Sequence, residues 1–575
     1  MEQTKPLFII QKYKSVMRAA LAIETVVYLV SLTDTLVAGN MISQEALIAI
    51  GLMSPFQFAA VFLAAVINSG TMLNYTRSIG SYDARHANEI FSHGCIMALG
   101  YGVLFAVFMM AVKGSFIAAA DVSAQTKEYL NAYYNIIIWY YLSLPVCTVF
   151  DNTVMNTGGE KLSSIANIVQ TVSNVLLSVL FARLFGVRGI AAATLLCQLG
   201  VIAAASVWLL KKGILVRPQL PFSKQSFLII LRDGLGRSVV FAMMSLMTAF
   251  MNMFTLRRFG ADAVTVFVVV KKVLDIALLF MGLSLALQPF IGTLREEKNT
   301  KAERYLMHTA CRHLLIAGIA ASLLVIVFAP LIAAAFGFRG GTLGPAAVRG
   351  VRIAGATLIV RAPLMLFFVY YFLTYRRLPM YLIAVLNELV FPIALAVLGA
   401  AVFGSQEGIW TGIAAAPVLT MAVCTWIVRR IYGKERFPLL LPPGDESRIH
   451  IYDFPLTAEN STVMAETAGK VLASFDYPAK TRILAEMLVE EMCMLISDKN
   501  GKPDGTLSVE CTIIPEENGA RLILRDTGVV FDITDREADI VSLRQYIVAQ
   551  MMTVPKQRQY IAAAGYNRSE FFFAK

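Results

Sequence analysis

Ionisable side chains are rare within the apolar stretches of this sequence, and those that occur there could bind a proton, a metal cation or a charged ligand. Asp34 stands in one stretch, Lys271, Lys272 and Asp275 in a second, and Glu388 in a third. An ionisable group inside a membrane span raises the free energy of insertion by about 2.5–3.5 kcal/mol, so these residues are candidates for function. Two alternatives stay open. Asp34 could lie at the water interface, and the spacing of Lys271 and Asp275 also suits a structural ion pair.

Neutral polar side chains in neighbouring apolar stretches extend this candidate site. Asn174 and Ser178 are four residues apart, which places both on one face of a helix. Tyr141 and Asn156 flank Pro145, which interrupts the hydrogen-bond ladder of a helix and can kink a membrane span. Hydrogen bonds between helices are the alternative explanation for each of these residues.

The elements that must position these residues are membrane-spanning helices. Of the 575 residues, 57% are hydrophobic and only 15% are charged, whereas a soluble chain carries about a quarter charged residues. A helix needs about 20 apolar residues to cross the hydrocarbon core. The apolar blocks predict about twelve such helices, near residues 15–39, 46–69, 90–112, 129–152, 163–184, 189–210, 235–257, 264–291, 308–336, 352–374, 380–402 and 409–430.

Lysine and arginine residues alternate between rich and poor loops along these spans. Cytoplasmic loops carry the excess of basic residues, so the pattern predicts a multi-pass protein of the bacterial inner membrane with both termini in the cytosol. The same loops account for the net charge of +11, which therefore does not indicate a nucleic-acid partner. The seven cysteines and five histidines have no ligand spacing, so the sequence predicts neither a disulfide framework nor a metal site.

The apolar part of the chain repeats itself. The residues around Gly186 and Gly404 are alike and each precede an apolar span, and Glu45 and Asp262 open similar spans. Internal repeats are usual in secondary transporters, with the substrate site between them. The sequence thus predicts an all-α membrane part with a six-helix lobe over residues 1–220, a second over 221–440, and a cytoplasmic domain over 445–575.

Several short motifs occur in a fixed order along the apolar part. They include Thr33–Gly39, Ala46–Leu52, the loop Asn156–Lys161, Gly189–Thr194 and Gln288–Gly292. In type, order and spacing they resemble the multidrug and toxic compound extrusion (MATE) transporters, over about residues 10–435. The resemblance implies a MATE/MOP-like fold, with two six-helix lobes around a cleft that opens alternately to each side of the membrane.

For activity, the resemblance implies an antiporter that exports organic, often cationic or amphipathic compounds against inflow of protons or sodium. Asp34 matches the acidic residue of the family's first span that takes part in coupling, and Asn174 matches an asparagine of span five. Ser178 stands where many prokaryotic members have a second acidic residue, and this departure leaves the family's coupling scheme open here. The predicted sets are an ion-coupling group of Asp34, Asn174, Ser178, Asn156, Tyr141 and Thr194, and a second-lobe polar cluster of Lys271, Lys272, Asp275 and Glu388.

The C-terminal part has the mixed composition of a soluble α/β domain. Apolar periodicity predicts helices over 462–475, 480–496 and 540–552 and strands over 507–514 and 521–525. The order resembles the GHKL ATP-binding sandwich, particularly that of anti-sigma-factor kinases. Glu490 and Glu491 lie where its first box would be, and Asp526 and Gly528 lie where its adenine-contacting box would be.

This second resemblance is partial. No asparagine stands near Leu495, where the GHKL fold holds magnesium, and no glycine-rich lid stands at 541–544. The departures favour a degenerate nucleotide sensor or a protein-docking domain without ATPase or kinase activity. A domain that only packs on the cytoplasmic face is the alternative. We therefore expect a transporter and not an enzyme, with lipid, a small organic substrate and a cytoplasmic protein as partners. A proton or sodium is the expected coupling ion, and ATP binding by the C-terminal domain stays open.

Two further functions stay open. A flippase for lipid-linked oligosaccharides would need a strongly basic cleft for pyrophosphate, and lysine and arginine are few within the spans. A transporter-like sensor would signal through the C-terminal domain and would need intact catalytic boxes there. An ATP-driven pump is disfavoured, because no GxxxxGK[ST] loop occurs in the sequence.

Overall fold

The computed structural model describes residues 6–80, 84–157, 159–213, 223–338, 343–434, 446–501, 507–531, 533, 543–551, 558–561 and 564–575. The chain divides into two compact units. The first, here called the sheet unit, contains Met1–Leu21, Gly282–His313 and Val428–Lys575, and the second, the membrane unit, contains Ala22–Met281 and Leu314–Ile427. Each unit takes residues from both predicted lobes, and the lobes themselves stay a prediction.

The apolar part of the chain is helical throughout most of its described length. A π-helical segment, Leu386–Val390, joins two of its helices. The helices are α1 (Leu7–Met41), α2 (Gln44–Leu52), α3 (Ser54–Gly80), α4 (Ala84–Ala119), α5 (Ala124–Asn156), α6 (Glu160–Phe185), α7 (Val187–Lys211), α8 (Lys224–Phe259), α9 (Ala261–Leu274), α10 (Ala277–Leu285), α11 (Gln288–Glu296), α12 (Thr300–Val327), α13 (Ala329–Ala335), α14 (Leu343–Ala356), α15 (Leu358–Leu373), α16 (Arg377–Val385), α17 (Phe391–Phe403) and α18 (Gln406–Tyr432).

Helix length and hydropathy identify the membrane spans. Among the described residues, nine helical stretches are long and apolar enough to cross a membrane, and the bent pair of α14 and α15 makes ten. The prediction of about twelve is therefore higher than the number found in the described chain. The predicted first span falls within the 35-residue helix α1, which is not among the ten. The predicted eighth span, residues 264–291, is also not among them.

The predicted eighth span is three short helices instead of one. Helix α9 ends at Leu274, α10 ends at Leu285, and α11 begins at Gln288 with Pro289 in its first turn. The charged residues Lys271 and Asp275 are buried at the first break. A break in a helix at membrane depth is tolerated where protein surrounds it. The apolar pattern can therefore continue through such a break, and it does not show where the helix ends.

Two glycines allow α3 and α8 to approach backbone to backbone. A Cβ added at Gly70 would lie 1.9 Å from the carbonyl oxygen of Ile230, and one added at Gly234 would lie 1.9 Å from the carbonyl oxygen of Val66. Real Cβ atoms do not come so close, so only glycine fits at this crossing. The contact joins the end of α3 to the start of α8 within the membrane unit.

The C-terminal domain is a five-stranded antiparallel sheet with helices on one face. Its elements are β1 (His450–Pro455), α19 (Ala458–Ala473), α20 (Ala479–Asn500), β2 (Ser508–Glu516), β3 (Gly519–Asp526), α21 (Leu543–Met551), β4 (Arg558–Ile561) and β5 (Tyr566–Ala574). The strand order is β1-β2-β3-β5-β4. Apolar side chains of the helices and of one sheet face form its core. The prediction of a small α/β domain is confirmed, and its GHKL type stays a prediction.

Candidate functional site

Asp34 lies on α1 within a network of neutral hydrogen-bond donors from neighbouring helices. The hydroxyl of Tyr133 on α5 donates to Asp34 Oδ2 over 2.9 Å. The hydroxyl of Thr194 on α7 lies 3.1 Å from Oδ1 and 3.3 Å from Oδ2. Asn174 on α6 donates through Nδ2 to Thr194 Oγ1 over 3.0 Å. Four helices of the first half of the chain thus converge on one carboxylate that is partly buried.

Two further oxygens in this part of α6 lack a hydrogen-bond partner. Asn174 Oδ1 and Ser178 Oγ are both buried, and neither accepts nor donates a hydrogen bond among the described residues. Buried polar atoms normally have a partner, so an orphan oxygen indicates a place for a water or an ion. Asn174 and Ser178 are one helix turn apart, and Asn174 links them to the Asp34 network through Thr194.

The oxygen atoms of this network are of the kinds that bind protons and hard cations. Sodium and other hard cations prefer carboxylate, carbonyl and hydroxyl oxygens, and Asp34, Asn174, Ser178 and Thr194 carry all three kinds. No group of three or more His, Cys, Asp or Glu residues suited to a transition metal occurs in the described chain. Hydrogen bonds to a charged carboxylate contribute about 1.5–3 kcal/mol each, so neutralising Asp34 would weaken the contacts of α5 and α7 with α1.

The charged cluster of the predicted eighth span forms a buried ion pair. The ammonium group of Lys271 pairs with the carboxylate of Asp275, four residues later at the end of α9. The same ammonium lies 4.5 Å from the centroid of the Phe58 ring, in a cation–π arrangement. Tyr28 on α1 donates its hydroxyl hydrogen to the carbonyl oxygen of Lys272 over 2.7 Å. The cluster therefore contacts the same helix that carries Asp34.

A small cavity opens beside this ion pair. Its volume is about 90 Å³. Lys272 is buried, and its charge attracts that of Asp34, so the two predicted sets lie within electrostatic reach of each other. The cavity is lined by Glu24, Tyr28, Ser54, Gln57, Phe58, Lys272, Asp275, Leu278 and Leu279, all in the membrane unit.

Three other predicted residues are placed differently. Glu388 is buried in the π-helical segment and accepts a hydrogen bond from its neighbour Asn387. Within the described part of the chain it forms no hydrogen bond or ion pair with Lys271 or Asp275. Tyr141 is buried two turns after Tyr133 on α5, with its ring 6.2 Å from that of Phe105. The side chain of Asn156 lies outside the described residues.

Sequence reasoning missed two buried polar residues of the membrane unit. Tyr133 lies two helix turns before Tyr141 and on the same face of α5, and this spacing was the signal that could have found it. Arg361 on α15 is buried, and its Nε has no hydrogen-bond partner among the described residues. Its position inside the predicted span 352–374 was the signal that could have found it.

In the C-terminal domain, the domain's own side chains engage Asp526. Arg558 donates to both carboxylate oxygens, over 2.7 Å to Oδ2 and 3.2 Å to Oδ1. Asn567 and the backbone N–H of Gly528 each donate to Oδ1 over 2.9 Å. The guanidinium carbon of Arg558 also lies 4.2 Å from the centroid of the Phe531 ring. An adenine amino group would have to displace Arg558 to reach Asp526.

The two glutamates of the predicted first box do not converge on this carboxylate. Glu490 accepts a hydrogen bond from Thr462 over 3.0 Å, and this contact is exposed. Glu491 lies 3.6 Å from Nε of Arg544. Both therefore contact neighbouring helices of the domain.

A sequence model of the MatE family matches residues 20–180, which is the segment that contains Asp34, Tyr133 and Asn174. No curated protein sequence matches the chain.

Solved structures resemble the chain over a much larger part of its length. The inward-facing conformation of a multidrug resistance MATE family transporter of the MOP superfamily has a TM-score of 0.64 and 22% identity, over 72% of this chain and 94% of that one. An outward-facing conformation of such a transporter gives 0.61 and 21%, over 76% and 99%. A MOP superfamily transporter from Pyrococcus furiosus, described as having a binding pocket of reversed polarity, gives 0.61 and 21%, over 76% and 98%. About three quarters of this chain thus have the fold of the MATE transporters.

Proposed function

We propose that this protein is a secondary-active exporter of organic compounds, coupled to inflow of protons or sodium through Asp34. The observation that carries the proposal is the hydrogen-bond network of Asp34, Tyr133, Thr194 and Asn174 inside a membrane-spanning unit. An acidic side chain that neutral donors hold at membrane depth can bind and release a cation. The MATE-like fold and the match to the MatE family support the same proposal.

Binding of the ion changes the contacts of α1. The carboxylate of Asp34 accepts from Tyr133 and Thr194 while it is charged. A proton or a sodium ion takes up part of this acceptor capacity, so the hold of α5 and α7 on α1 weakens. The equilibrium between two arrangements of the helices then shifts by the difference in the ion's affinity for each.

Contacts that alternating access must break and remake lie at opposite ends of the membrane unit. Near the predicted cytoplasmic side, Gly70 on α3 lies against α8 around Ile230. Near the predicted outer side, Asn40 at the end of α1 donates to the carbonyl oxygen of Ala335. Each contact joins a helix of the first half to one of the second. Opening the cleft toward one side of the membrane requires the contact at that side to separate while the contact at the other side stays closed.

The cavity beside Asp275 is our candidate for part of the substrate path. It joins α1 and α3 of the first half to α9 and α10 of the second, where internal-repeat transporters bind their substrates. Phe58 and Tyr28 offer aromatic surface, and Glu24 offers negative charge to a cationic, amphipathic compound. Lys272 lies in the same wall, so a cationic substrate would have to compete with its ammonium group.

A second candidate is export of an anionic compound, such as a lipid-linked phosphate. Arg361 favours it, because a buried guanidinium group with an unpartnered Nε suits a carboxylate or phosphate oxygen. The similar transporter from Pyrococcus furiosus is described as having a pocket of reversed polarity that suggests a different function. A cationic and an anionic fluorescent substrate, compared in the same vesicles, separate the two candidates.

For the C-terminal domain we propose a docking role without ATP hydrolysis. The pairing of Asp526 with Arg558 and Asn567 supports it, because these side chains use the acceptor atoms that adenine would need. The charged face of its sheet, described below, supports it as well.

The experiment that tests the exporter is dye efflux from proteoliposomes under an imposed proton or sodium gradient. Asp34→Asn keeps the size of the side chain and removes its charge, and Asp121→Asn is the matched control on an exposed aspartate. We expect gradient-driven efflux in the wild type and in the control, and its loss in Asp34→Asn. Efflux that survives in Asp34→Asn would contradict coupling through Asp34. No efflux of any dye under either gradient would contradict the exporter itself.

A further inference from the structure

The sheet of the C-terminal domain has two unlike faces, and its central strands β2 and β3 are buried on both. One face carries apolar side chains, among them Tyr452, Val509, Leu524 and Phe571, and packs on its helices. Since side chains alternate along a strand, the residues between them point to the other face. In a domain with helices on one face only, this second face would be expected to meet water.

A row of charged residues crosses this second face. The strand register places Asp453 on β1 opposite Glu510 on β2, Glu510 opposite Arg525 on β3, and Arg525 opposite Arg568 on β5. Glu510 and Arg525 are completely buried, and Arg568 is 6% exposed. Arg525 pairs with Glu510 and also donates a hydrogen bond to Thr512 Oγ1 over 3.3 Å. Charges are buried only where partners hold them, so something must cover this face.

One partner is Glu297, in the turn between α11 and α12. Its side chain has no exposed surface. Arg568 donates through Nε to Glu297 Oε1 over 2.6 Å, and Arg525 donates to Oε2. One carboxylate from the apolar part of the chain is thus held by two arginines of the sheet. Arg521 adds a hydrogen bond to the carbonyl oxygen of Glu296 over 3.2 Å.

The other partner is the beginning of α1. Asp453 accepts hydrogen bonds from the backbone N–H groups of Leu7 and Phe8, over 2.9 and 3.3 Å, and so caps the N-terminus of this helix. Lys12, one turn further along, donates to the carbonyl oxygen of Gly565 over 2.7 Å. The opposite ends of the charged row therefore hold two different segments.

Aromatic rings fill the space between these contacts. Tyr566 lies 5.7 Å from Phe8 in an edge-to-face arrangement and 6.3 Å from Phe290 of α11 in a stacked one. Tyr13 of α1 lies 6.2 Å from Phe290. All of these residues belong to the sheet unit. The start of α1, the α11–α12 turn and the sheet are therefore one packed body.

We propose that the C-terminal domain is an internal latch on the transport cycle, with its charged sheet face clasping the start of α1 and the α11–α12 turn. This inference rests on the proposed function for its biological meaning. Helix α1 comes from the first half of the chain and the α11–α12 turn from the second, so the clasp ties the two halves that alternating access must move. Helix α1 also runs unbroken from Leu7 to Met41 and carries Asp34, so restraint at its start acts on the coupling helix.

The composition of the clasp suits repeated release. Interfaces between domains that separate are more polar than permanent ones. Here ion pairs and hydrogen bonds accompany the aromatic contacts, and buried ion pairs add less to stability than an apolar contact of the same size. A docked domain that releases Glu297 regains the hydration of three charged groups, which offsets part of the lost attraction.

The test uses the full-length protein and the substitution Glu297→Gln. It removes the negative charge between Arg525 and Arg568 with little change of shape. Glu296→Gln is the matched control, because its side chain is exposed and adjacent. A second, milder variant is available if Glu297→Gln fails to fold. It is Lys12→Gln, which removes the hydrogen bond to Gly565, and Lys14→Gln is its control. Hydrogen exchange of the purified protein reports docking at the start of α1 and on β5, and reports helix separation at the Gly70–Gly234 crossing.

We expect Glu297→Gln to speed exchange at the start of α1 and on β5 on the order of 100-fold, and to speed exchange at the Gly70–Gly234 crossing as well. We also expect its transport rate to rise several-fold. If Glu297→Gln leaves the exchange rate on β5 unchanged, the contact between the sheet and the α11–α12 turn is not held by Glu297, and the clasp is overturned. If the domain undocks but neither the exchange rate at the Gly70–Gly234 crossing nor the transport rate changes, the domain does not restrain transport, and the latch is overturned. If no variant transports any dye, the proposed function fails, while exchange at the crossing still decides whether the domain restrains the helices.

Discussion

The hydroxyl of Tyr133 donates to the carboxylate of Asp34 over 2.9 Å, across the contact between α5 and α1. Tyr133 is buried, and its neighbour Tyr134 points elsewhere and donates to the carbonyl oxygen of Met109 over 2.7 Å. Of these two adjacent tyrosines, only Tyr133 donates to Asp34. Tyr134 therefore serves as the control for a substitution at Tyr133.

Tyr133→Phe is expected to reduce gradient-driven efflux by about tenfold or more. The substitution removes one hydrogen bond to a charged group, which contributes about 1.5–3 kcal/mol, and tenfold in rate corresponds to about 1.4 kcal/mol. Tyr134→Phe also removes a buried hydrogen bond but does not touch Asp34, so its efflux should stay near the wild-type rate. Equal losses in the two variants would mean that the hydroxyl of Tyr133 serves only packing.

Gly70→Ala should destabilise the membrane unit by about 1–3 kcal/mol, the usual range for an overpacked contact. The added methyl group would meet the backbone carbonyl of Ile230, and backbone cannot rotate away as a side chain can. Gly100→Ala, within α4, is the control, because a Cβ there meets nothing within 4 Å. It should be neutral or raise stability slightly, since alanine favours a helix by about 0.5–1 kcal/mol over glycine. Thermal unfolding in detergent measures the stability of both variants. If Gly70→Ala is as stable as Gly100→Ala, then α3 and α8 do not cross this closely.

Asp275→Asn is expected to lower the stability of the protein by about 3–5 kcal/mol, because it leaves the ammonium group of Lys271 buried without its counter-ion. The double variant Lys271→Met, Asp275→Leu removes both charges and should recover most of this loss. If the double variant is stable and still exports dye, the pair is structural. If it is stable but inactive, the pair takes part in transport. A stable single variant Asp275→Asn would contradict the buried pairing.

The sequence predicted the helical membrane part and the small α/β domain, because hydropathy and helical spacing are local properties. The grouping of Asp34 with Thr194 and Asn174 came from the resemblance to the MATE transporters. The sequence did not predict the break of the eighth span, since the apolar pattern continues through Leu285. The contacts of Glu297 with the sheet could not be predicted from the sequence either. Strand register decides which charges of β2, β3 and β5 stand side by side, and register is set by tertiary contacts that a single sequence does not display.

ATP is expected to leave the thermal unfolding of the full-length protein unchanged. A ligand at 100 times its dissociation constant stabilises the native state by about 2.7 kcal/mol, so binding would be visible as a rise in Tm. We expect none, since Arg558 and Asn567 already engage the carboxylate of Asp526. A saturable rise in Tm with millimolar ATP would contradict this expectation and restore the nucleotide-sensor alternative.

The stability of the docked C-terminal domain should fall as the pH rises through neutrality. Burial, together with the negative charge of Glu510, raises the pKa of Asp453 to about 7, whereas an exposed aspartate has a pKa of about 3.9. The folded protein therefore binds this proton more tightly than the unfolded chain, and the resulting stabilisation is present at acid pH and lost as the pH rises through about 7. We expect a higher Tm at about pH 5.5 than at about pH 8. Asp453→Asn keeps an oxygen acceptor for Leu7 and should flatten this dependence, while Glu517→Gln, an exposed control on the β2–β3 turn, should leave it intact. A pH dependence equal in all three proteins would exclude Asp453 as its source.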